Sequence, residues 1–333
     1  MRPSVDDTDL SPLGMASGKV ILLGEHAVVY GVPALAVGID RGAHARAYPH
    51  ACGPSELFVR DWGITVRETD PEPMLACAFA ELVKATRASL DQAGRTLGPV
   101  RVEAGSELPP GGGLGCSAAT GVAVARALDP LASPGEICDR VMVWERVFHG
   151  NPSGVDAAVA TRGGCLYFEK GRPVTPVRAR HDLLLCLGST GLASSTKSMV
   201  LAVARQRQRR PAEVDAIFEQ IGCLVRQARA TLEASDTSTL GSLLDQNQAL
   251  LARLSLSSPE IDALCGAAHQ AGALGAKLTG AGGGGSVVAL VSTLEEGERV
   301  LASWKKAGFG GFAARVRGAS ASSQPRLHGD LGP

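Results

Sequence analysis

The sequence has no excess of either charge, no long apolar run and no clustered cysteines. Its 333 residues carry 33 Lys plus Arg against 33 Asp plus Glu, and this balance gives no support for binding nucleic acid or a membrane surface. No run of about 18 successive apolar residues occurs, so we expect no membrane-spanning helix. The eight cysteines include no Cys-x-x-Cys pair, so neither a zinc ribbon nor a redox dithiol is indicated, and their scattered positions fit reduced core residues.

Three well-known nucleotide and metal signatures are also missing. No Gly-x4-Gly-Lys-Ser/Thr loop occurs, and no strand leads into Gly-x-Gly-x-x-Gly with an acidic residue placed for a ribose. A P-loop protein is therefore excluded and a dinucleotide dehydrogenase is disfavoured. Glu25-His26 has no second histidine at helical spacing, which excludes His-Glu-x-x-His zinc chemistry.

The length and composition are those of a globular protein with two lobes. Hydrophobic residues make up 45% of the chain and charged residues 20%, which suffices for a substantial core. Residues 1–14 are polar and acidic, without the apolar centre of a signal peptide. We expect flexible tails at 1–14 and 319–333, and a cytoplasmic protein.

Hydrophobic periodicity and turn residues predict strands and helices without a steady βαβ alternation, which indicates an α+β fold. Capping-box spacing at Ser133–Glu136 and Thr293–Glu296 predicts two helix starts. A hairpin and linker at 163–176 divide the chain into an N-terminal lobe, 15–175, and a C-terminal lobe, 176–318. Strands are predicted at 19–23, 34–39, 43–48, 100–104, 183–187, 276–280, 286–291 and 312–317, and helices at 71–94, 118–128, 134–149, 195–208, 211–234, 236–253, 259–271 and 293–307.

Three segments rich in glycine and turn residues stand out, at 18–31, 109–119 and 277–286. A single glycine cluster is usually only a turn, whereas three in one chain, each beside a strand or helix, favour a polyphosphate site. In the middle segment a glycine loop leads into a small, apolar helix. The unpaired N–H groups at such a helix start attract phosphate.

A bound polyphosphate requires a cation with oxygen ligands, such as magnesium. Ser117 at the start of the loop helix could supply one oxygen. Glu145 and Asp156 flank the turn 149–154, but Glu145 could equally lie on a solvated helix face and Asp156 could be a first-turn acid. Lys19 precedes an apolar strand, so its side chain either reaches solvent or points into a site.

Four segments resemble the GHMP small-molecule kinases. The three signature motifs of that superfamily are similar to ASGKVILLGEHAVVYGVPALAVGI, LPPGGGLGCSAA and KLTGAGGGGSVVAL, and ERVFHGNPSGVDAAV together with GEHAVVYG resembles the mevalonate kinases in particular. The resemblance covers about residues 15–318 in order. It implies a two-lobed α+β architecture, with an N-terminal lobe like domain 2 of ribosomal protein S5, a C-terminal α/β-sandwich lobe, and the active site between them.

The resemblance also implies an activity, namely ATP-dependent phosphorylation of the 5-hydroxyl of (R)-mevalonate to give 5-phosphomevalonate and ADP. ATP would be the co-substrate and Mg²⁺ the cofactor, and a homodimer is compatible with it. A superfamily kinase for phosphomevalonate or a sugar stays open, as does a non-catalytic sensor on the same fold. A pure binder need not keep Lys19, Ser117, Glu145 and Asp156 together, which argues against the sensor.

Residue roles follow from the matched positions. Asp156 matches the catalytic base that takes the proton of the acceptor hydroxyl, and Lys19 matches the lysine beside it. Ser117 and Glu145 match the magnesium ligands. The other matched positions are the ATP-binding loop Pro110, Gly111, Gly112, Gly113, Leu114, Gly115, Cys116, Ser117 and Ala118, the acceptor-binding Glu25, His26 and Thr196, and the third-motif glycines Gly280, Gly282, Gly283 and Gly284.

Three positions depart from the family pattern. Ser17 stands where proline usually precedes Gly-Lys, which loosens the entry to the first motif. Cys116 replaces the commoner serine, and it is either an oxidation-sensitive thiol at a helix start or, the alternative we favour, a packed small residue. Ser194 stands where some relatives carry a basic residue for the substrate carboxylate, which leaves Lys197 as the candidate partner.

Overall fold

The computed structural model describes residues 12–150 and 152–318, which form two β-sheets and the helices packed around them. The predicted tails lie outside the described residues at 1–11 and 319–333, and the first strand begins at Gly14. Within the described ranges no helix is long and apolar enough to cross a membrane. The α+β fold class predicted from the sequence is confirmed.

The strands divide between two sheets in chain order. The first sheet contains β1 Gly14–Leu23, β2 Ala34–Pro49, β3 Glu56–Val59, β4 Ile64–Arg67, β5 Val100–Ser106, β6 Cys165–Phe168 and β7 Thr175–Val177. The second contains β8 Leu183–Ser189, β9 Gly275–Thr279, β10 Ser286–Val291 and β11 Gly310–Val316. The helices are α1 Met74–Gln92, α2 Cys116–Leu128, α3 Pro134–His149, α4 Val155–Arg162, α5 Thr196–Arg209, α6 Pro211–Ala234, α7 Thr237–Arg253, α8 Pro259–Gln270 and α9 Leu294–Lys306.

The first sheet is built around the long strand β2. Strand order is β4-β3-β5-β2-β6-β7, and β1 also pairs with β2. The prediction of two strands at 34–39 and 43–48 is wrong, because they are one continuous strand. The pairing shifts register where Ser17 faces Gly42 and Gly18 faces Ile39. This bulge absorbs the exposed Asp40 and Arg41 without ending the strand.

Strands β3 and β4 were not predicted from the sequence. Each has only four residues, too few for a clear alternation of apolar and polar positions. A 3-10 turn at Arg60–Trp62 joins them and ends at Gly63, whose φ is 61°. Strand β3 runs parallel to β5, so α1 lies on the connection between two parallel neighbours.

The second sheet is antiparallel throughout, in the order β11-β8-β10-β9. Both helix starts that capping-box spacing predicted are confirmed. Ser133 and Glu136 form a reciprocal capping box at the start of α3, and Thr293 and Glu296 form another at the start of α9. Such local hydrogen bonding determines where a helix begins.

One continuous cluster of buried apolar side chains joins both sheets. It includes Val20 of β1, Val225 of α6 and Leu278 of β9, each without solvent exposure. Helix α2 lies within this cluster and is apolar on nearly all sides, since all its residues except Ser117 and Arg126 are buried. The lobe boundary between residues 175 and 176 stays a prediction.

Candidate active site

The glycine-rich loop before α2, residues 109–115, has a backbone suited to binding an anion. Gly111, Gly113 and Gly115 have φ values of 73°, 75° and 72°, a left-handed conformation that glycine adopts without strain. Helix α2 then begins at Cys116 with no side chain capping its first N–H groups. Uncapped N–H groups at a buried helix start are suited to binding a phosphate.

Lys19 points into the site rather than to solvent. Its side chain is 5% exposed, and Nζ lies 2.8 Å from Asp156 Oδ1. The same ammonium group donates to the carbonyl oxygen of Gly113 at 3.4 Å, and the Lys19 backbone N–H donates to Leu114 O at 2.8 Å. The lysine therefore links the glycine-rich loop to Asp156.

Asp156 is both a first-turn acid and a partner of Lys19. It lies in the first turn of α4, after Gly154 in the left-handed conformation. Its side chain is 34% exposed, so one carboxylate oxygen can be bound by lysine while the group stays accessible to a substrate. The two alternatives that the sequence left open for Asp156 are thus compatible.

Ser117 and Glu145 meet beside the glycine-rich loop. Ser117 Oγ donates to Glu145 Oε1 at 2.7 Å, and Trp144 Nε1 donates to Ser117 O at 3.1 Å. Glu145 is 2% exposed, so the alternative of a solvated helix face is wrong. Burial, with the negative charge of Asp156, raises the pKa of Glu145 to about 7, against the hydrogen bond from Ser117 and the charge of Lys19.

This group of oxygens fits a hard cation. Lys19 offsets only part of the repulsion between Asp156 and the buried Glu145, since the pKa of Glu145 stays raised, and Mg²⁺ commonly takes one or two carboxylates together with substrate phosphates. His149 Nε2 lies 3.6 Å from Glu145 Oε2. Over residues 12–150 and 152–318, no group of three or more His, Cys, Asp or Glu side chains could hold a metal on its own.

Glu25 and His26 face the third motif. Glu25 is buried, its carboxylate accepting from Lys277 Nζ and from Asn247 Nδ2 at 3.1 Å. Burial raises the pKa of Glu25, and the charge of Lys277 opposes that rise. His26 Nε2 lies 2.8 Å from Ala281 O. Contact of Glu25 and His26 with an acceptor stays a prediction.

The sequence reasoning missed Lys277 and Asn247. Lys277 lies in a strand whose five residues are all buried, so the signal that marked Lys19, a lysine beside an apolar run, was also present here. Asn247 carried no comparable signal, because an amide on one face of a helix is common.

The third-motif loop, residues 280–285, packs closely against two other segments because its glycines lack side chains. A Cβ atom at Gly280 would lie 3.4 Å from Gly113 Cα, and one at Gly282 would lie 2.5 Å from Leu256 O. Gly283 and Gly284 also have positive φ values, of 67° and 134°. The loop therefore lies against the glycine-rich loop of the first lobe on one side and the α7–α8 connection on the other.

Thr196 is the first residue of α5 and is exposed. The turn before it is fixed on the third-motif loop, because Ser194 Oγ donates to Gly282 O and Gly285 N donates to Leu192 O at 2.9 Å. No hydrogen bond or ion pair within the described residues joins Thr196 to Lys19 or Asp156. Its role stays a prediction, as does that of the exposed Lys197.

Cys116 is a packed residue, not a reactive thiol. Its side chain is buried, and Sγ lies 3.4 Å from Ser106 Oγ and 3.5 Å from Leu108 O. Burial raises the pKa of this thiol, which opposes thiolate formation. Ser17, the other departure in this region, pairs with Gly42 at the register shift between β1 and β2.

A cavity of about 420 Å³ adjoins the glycine-rich loop. Trp62 and Pro110 line it from the first sheet's side, and Leu187 and Phe312 line it from the second sheet. The guanidinium of Arg41 covers the ring of Phe312, with Cζ 4.5 Å from the ring centroid. Trp62 was missed because it lies between the two strands that the sequence did not predict.

Comparisons with known proteins agree with this geometry. The GHMP kinases N terminal domain matches residues 79–164, and GHMP kinases C terminal matches residues 228–310. The mevalonate kinases of Thermococcus sibiricus and Pyrococcus abyssi are 34% and 35% identical over 301 residues, covering 84% of this chain and 88% of theirs.

Solved structures of mevalonate kinases are also similar to this chain. A structure of L. major mevalonate kinase in complex with R-mevalonate matches with a TM-score of 0.78 and 28% identity, over 93% of this chain and 97% of that one. The Methanococcus jannaschii mevalonate kinase matches with a TM-score of 0.79 and 23% identity, over 93% and 99%, which supports the fold alone. The chain therefore belongs to the GHMP kinases and, within them, to the mevalonate kinase family.

Proposed function

We propose that this protein transfers the γ-phosphoryl group of ATP to the 5-hydroxyl of (R)-mevalonate, giving 5-phosphomevalonate and ADP. The observation that carries the proposal is the Lys19–Asp156 pair, with 2.8 Å between Nζ and Oδ1, beside the Ser117–Glu145 pair at the uncapped start of α2. The curated mevalonate kinase relatives and the relative that holds R-mevalonate support the choice of substrate.

Asp156 accepts the proton in the transfer step. The oxygen of the acceptor hydroxyl forms a bond to the γ-phosphorus, the bond from that phosphorus to the β–γ bridging oxygen breaks, and the electron pair leaves with ADP. A carboxylate is a weak base, but phosphoryl transfer has a loose transition state that needs positioning more than early deprotonation. Lys19 Nζ, held beside Asp156, stabilises negative charge on the attacking oxygen.

The glycine-rich loop and the start of α2 bind the phosphates through backbone N–H groups. Ser117 Oγ and Glu145 would hold Mg²⁺, which when bound neutralises phosphate charge. Lys19 also orders this loop, since it bonds to both Gly113 O and Leu114 O. The proton acceptor and the phosphate cradle are thereby fixed relative to each other.

The cavity of about 420 Å³ beside the loop accommodates the nucleotide base. Its size falls in the range of small-molecule pockets, and the rings of Trp62 and Phe312 offer apolar surface to an aromatic base. Because Arg41 covers Phe312, the second ring is held in place by the first lobe. Nucleotide binding would therefore contact both sheets.

The acceptor lies between Asp156 and the third-motif loop in this proposal. His26 and Thr196 contact it, Glu25 supports His26, and Lys197 is the candidate partner of the substrate carboxylate. A cytoplasmic location and a homodimer stay predictions from the sequence and the resemblance.

Coupled measurement of ADP release tests the proposal. Purified protein is assayed with mevalonate, phosphomevalonate, homoserine and galactose, each with ATP and Mg²⁺, and we expect turnover with mevalonate. Turnover with another acceptor but none with mevalonate would show a different kinase of the superfamily. Binding of nucleotide and mevalonate without turnover with any acceptor would show a sensor.

A further inference from the structure

Lys277 is a charged side chain without solvent exposure, and the transfer step described above does not use it. Its ammonium group donates to Glu25 Oε1 and to Leu278 O. Glu25 has no exposed side-chain surface either. A buried ion pair of this kind contributes little net stability compared with apolar residues of the same size, so its presence calls for another explanation.

The pair is the middle member of a set of three contacts between the first and third motifs. All three connect the segment 21–26 to the segment 277–281, across the boundary between the sheets. Thr279 Oγ1 bonds to both the N–H and the carbonyl oxygen of Ile21, each at 3.1 Å. We call this set the motif seam, and its pairs are Ile21–Thr279, Glu25–Lys277 and His26–Ala281.

The motif seam holds His26 in an unusual backbone conformation. The φ angle of His26 is 59°, in the left-handed region that residues other than glycine seldom adopt. Such a conformation persists only where surrounding contacts fix it. Here the preceding residue is fixed by Lys277, and the imidazole is fixed by Ala281 O at 2.8 Å.

We propose that Lys277 is a positioning residue for the acceptor, because it holds Glu25 and so fixes His26 in place against the third-motif loop. This inference rests on the proposed function, in which His26 contacts the acceptor. Lys277 acts through Glu25 and does not itself touch the substrate.

The nucleotide side of the site has separate supports. Ser286 Oγ donates to Gly112 O at 2.6 Å, and Lys19 N donates to Leu114 O at 2.8 Å. Neither bond involves Lys277 or Glu25. Loss of the pair should therefore weaken use of the acceptor while use of ATP stays nearly unchanged.

The test variant is Glu25→Gln with Lys277→Met, which removes both charges and keeps the approximate shapes. Changing both residues avoids leaving one buried charge without its partner. The matched control is Asp129→Asn with Arg140→Met. Asp129 and Arg140 form a buried ion pair at 2.9 Å, but Asp129 follows the far end of α2 from Ser117.

Steady-state kinetics and thermal melting are measured for the wild type and both double variants. We expect the seam variant to raise KM for mevalonate by about tenfold or more, with KM for ATP within about twofold of the wild type. The control removes another buried ion pair and should not show this selective change. An unchanged mevalonate KM in the folded seam variant, or a parallel rise of both KM values, would overturn the inference.

A milder variant covers the case in which the seam variant does not fold. Asn247→Ala removes the hydrogen bond to Glu25 Oε2 and leaves the ion pair. Within the described residues Asn247 Oδ1 has no hydrogen-bond partner, so few other polar contacts are lost. We expect a smaller rise in mevalonate KM, again without a change in ATP KM, and no rise would overturn the inference.

Failure of the proposed function gives a different result. A wild-type protein without turnover of mevalonate would overturn the proposed function. The seam is then tested with the acceptor that the wild type does phosphorylate, because the measured quantity is the ratio of variant to wild-type KM.

Discussion

Replacing Asp156 by Asn removes one negative charge from the site while nearly preserving the side chain's shape. In the wild type, Oδ1 lies 2.8 Å from Lys19 Nζ, and the amide oxygen of Asn can accept the same hydrogen bond. The variant therefore separates the carboxylate's role as proton acceptor from its role as a partner of lysine.

The expected loss is larger for turnover than for stability. A positioned general base contributes about 10²- to 10⁴-fold, which corresponds to about 2.7–5.5 kcal/mol in the activation barrier. Asp156 is 34% exposed, so water screens part of its attraction to Lys19, but Lys19 is only 5% exposed and keeps just the amide oxygen in place of the carboxylate. We therefore expect the free energy of unfolding to fall by about 1–2 kcal/mol.

ADP release at saturating ATP and mevalonate measures turnover, and calorimetry measures ATP binding. We expect kcat to fall by about 10²- to 10⁴-fold while ATP binding persists. Asp139→Asn is the matched control, since Asp139 is an exposed carboxylate on α3 and its loss should leave kcat unchanged. Near-normal turnover of Asp156→Asn would refute its role as the base.

Three further changes test other parts of the site and fold. Ser117→Ala should raise the Mg²⁺ concentration needed for half-maximal turnover, and an unchanged magnesium titration would contradict its role as a ligand. Lys19→Met should lower kcat by about 10²-fold or more, and a change in ATP KM without a fall in kcat would contradict charge stabilisation. Burial raises the pKa of Glu68, but hydrogen bonds from Arg87 and Ser55 outweigh it and lower that pKa below 4.5. The resulting stability is present above about pH 4.5 and is lost as the pH falls through the lowered value, so denaturant unfolding of Glu68→Gln should show a larger deficit near pH 7 than near pH 3.

Local chemistry made parts of the fold predictable. The helices α3 and α9 begin at the expected residues because a capping box needs only neighbouring side chains. The glycine-rich loop was recognisable because alternate left-handed positions require glycine. The same local rules did not predict β3 and β4, because these strands are too short to show periodicity. Trp62, which lies between them and lines the cavity, was therefore not predicted either.

Contacts between distant residues were beyond the sequence alone. The burial of Glu145 depends on Ser117, which lies 28 residues earlier, and on the packing of Trp144 against α2 at Gly121. Lys277 and Glu25 are separated by 252 residues, and no local pattern pairs them. The resemblance supplied roles for Ser117, Glu145 and Asp156, but it did not supply the buried partners that hold Glu25 in place.

The continuous core also bears on how the chain folds during synthesis. Strand β1 is made early, yet its Ile21 bonds to Thr279, 258 residues later, and Val20 shares one apolar cluster with Leu278. Contacts over such a separation form late and slowly, because a long loop must close first. The first sheet must therefore leave the ribosome with part of its apolar surface still uncovered. The active site is completed only after the third motif has been synthesised.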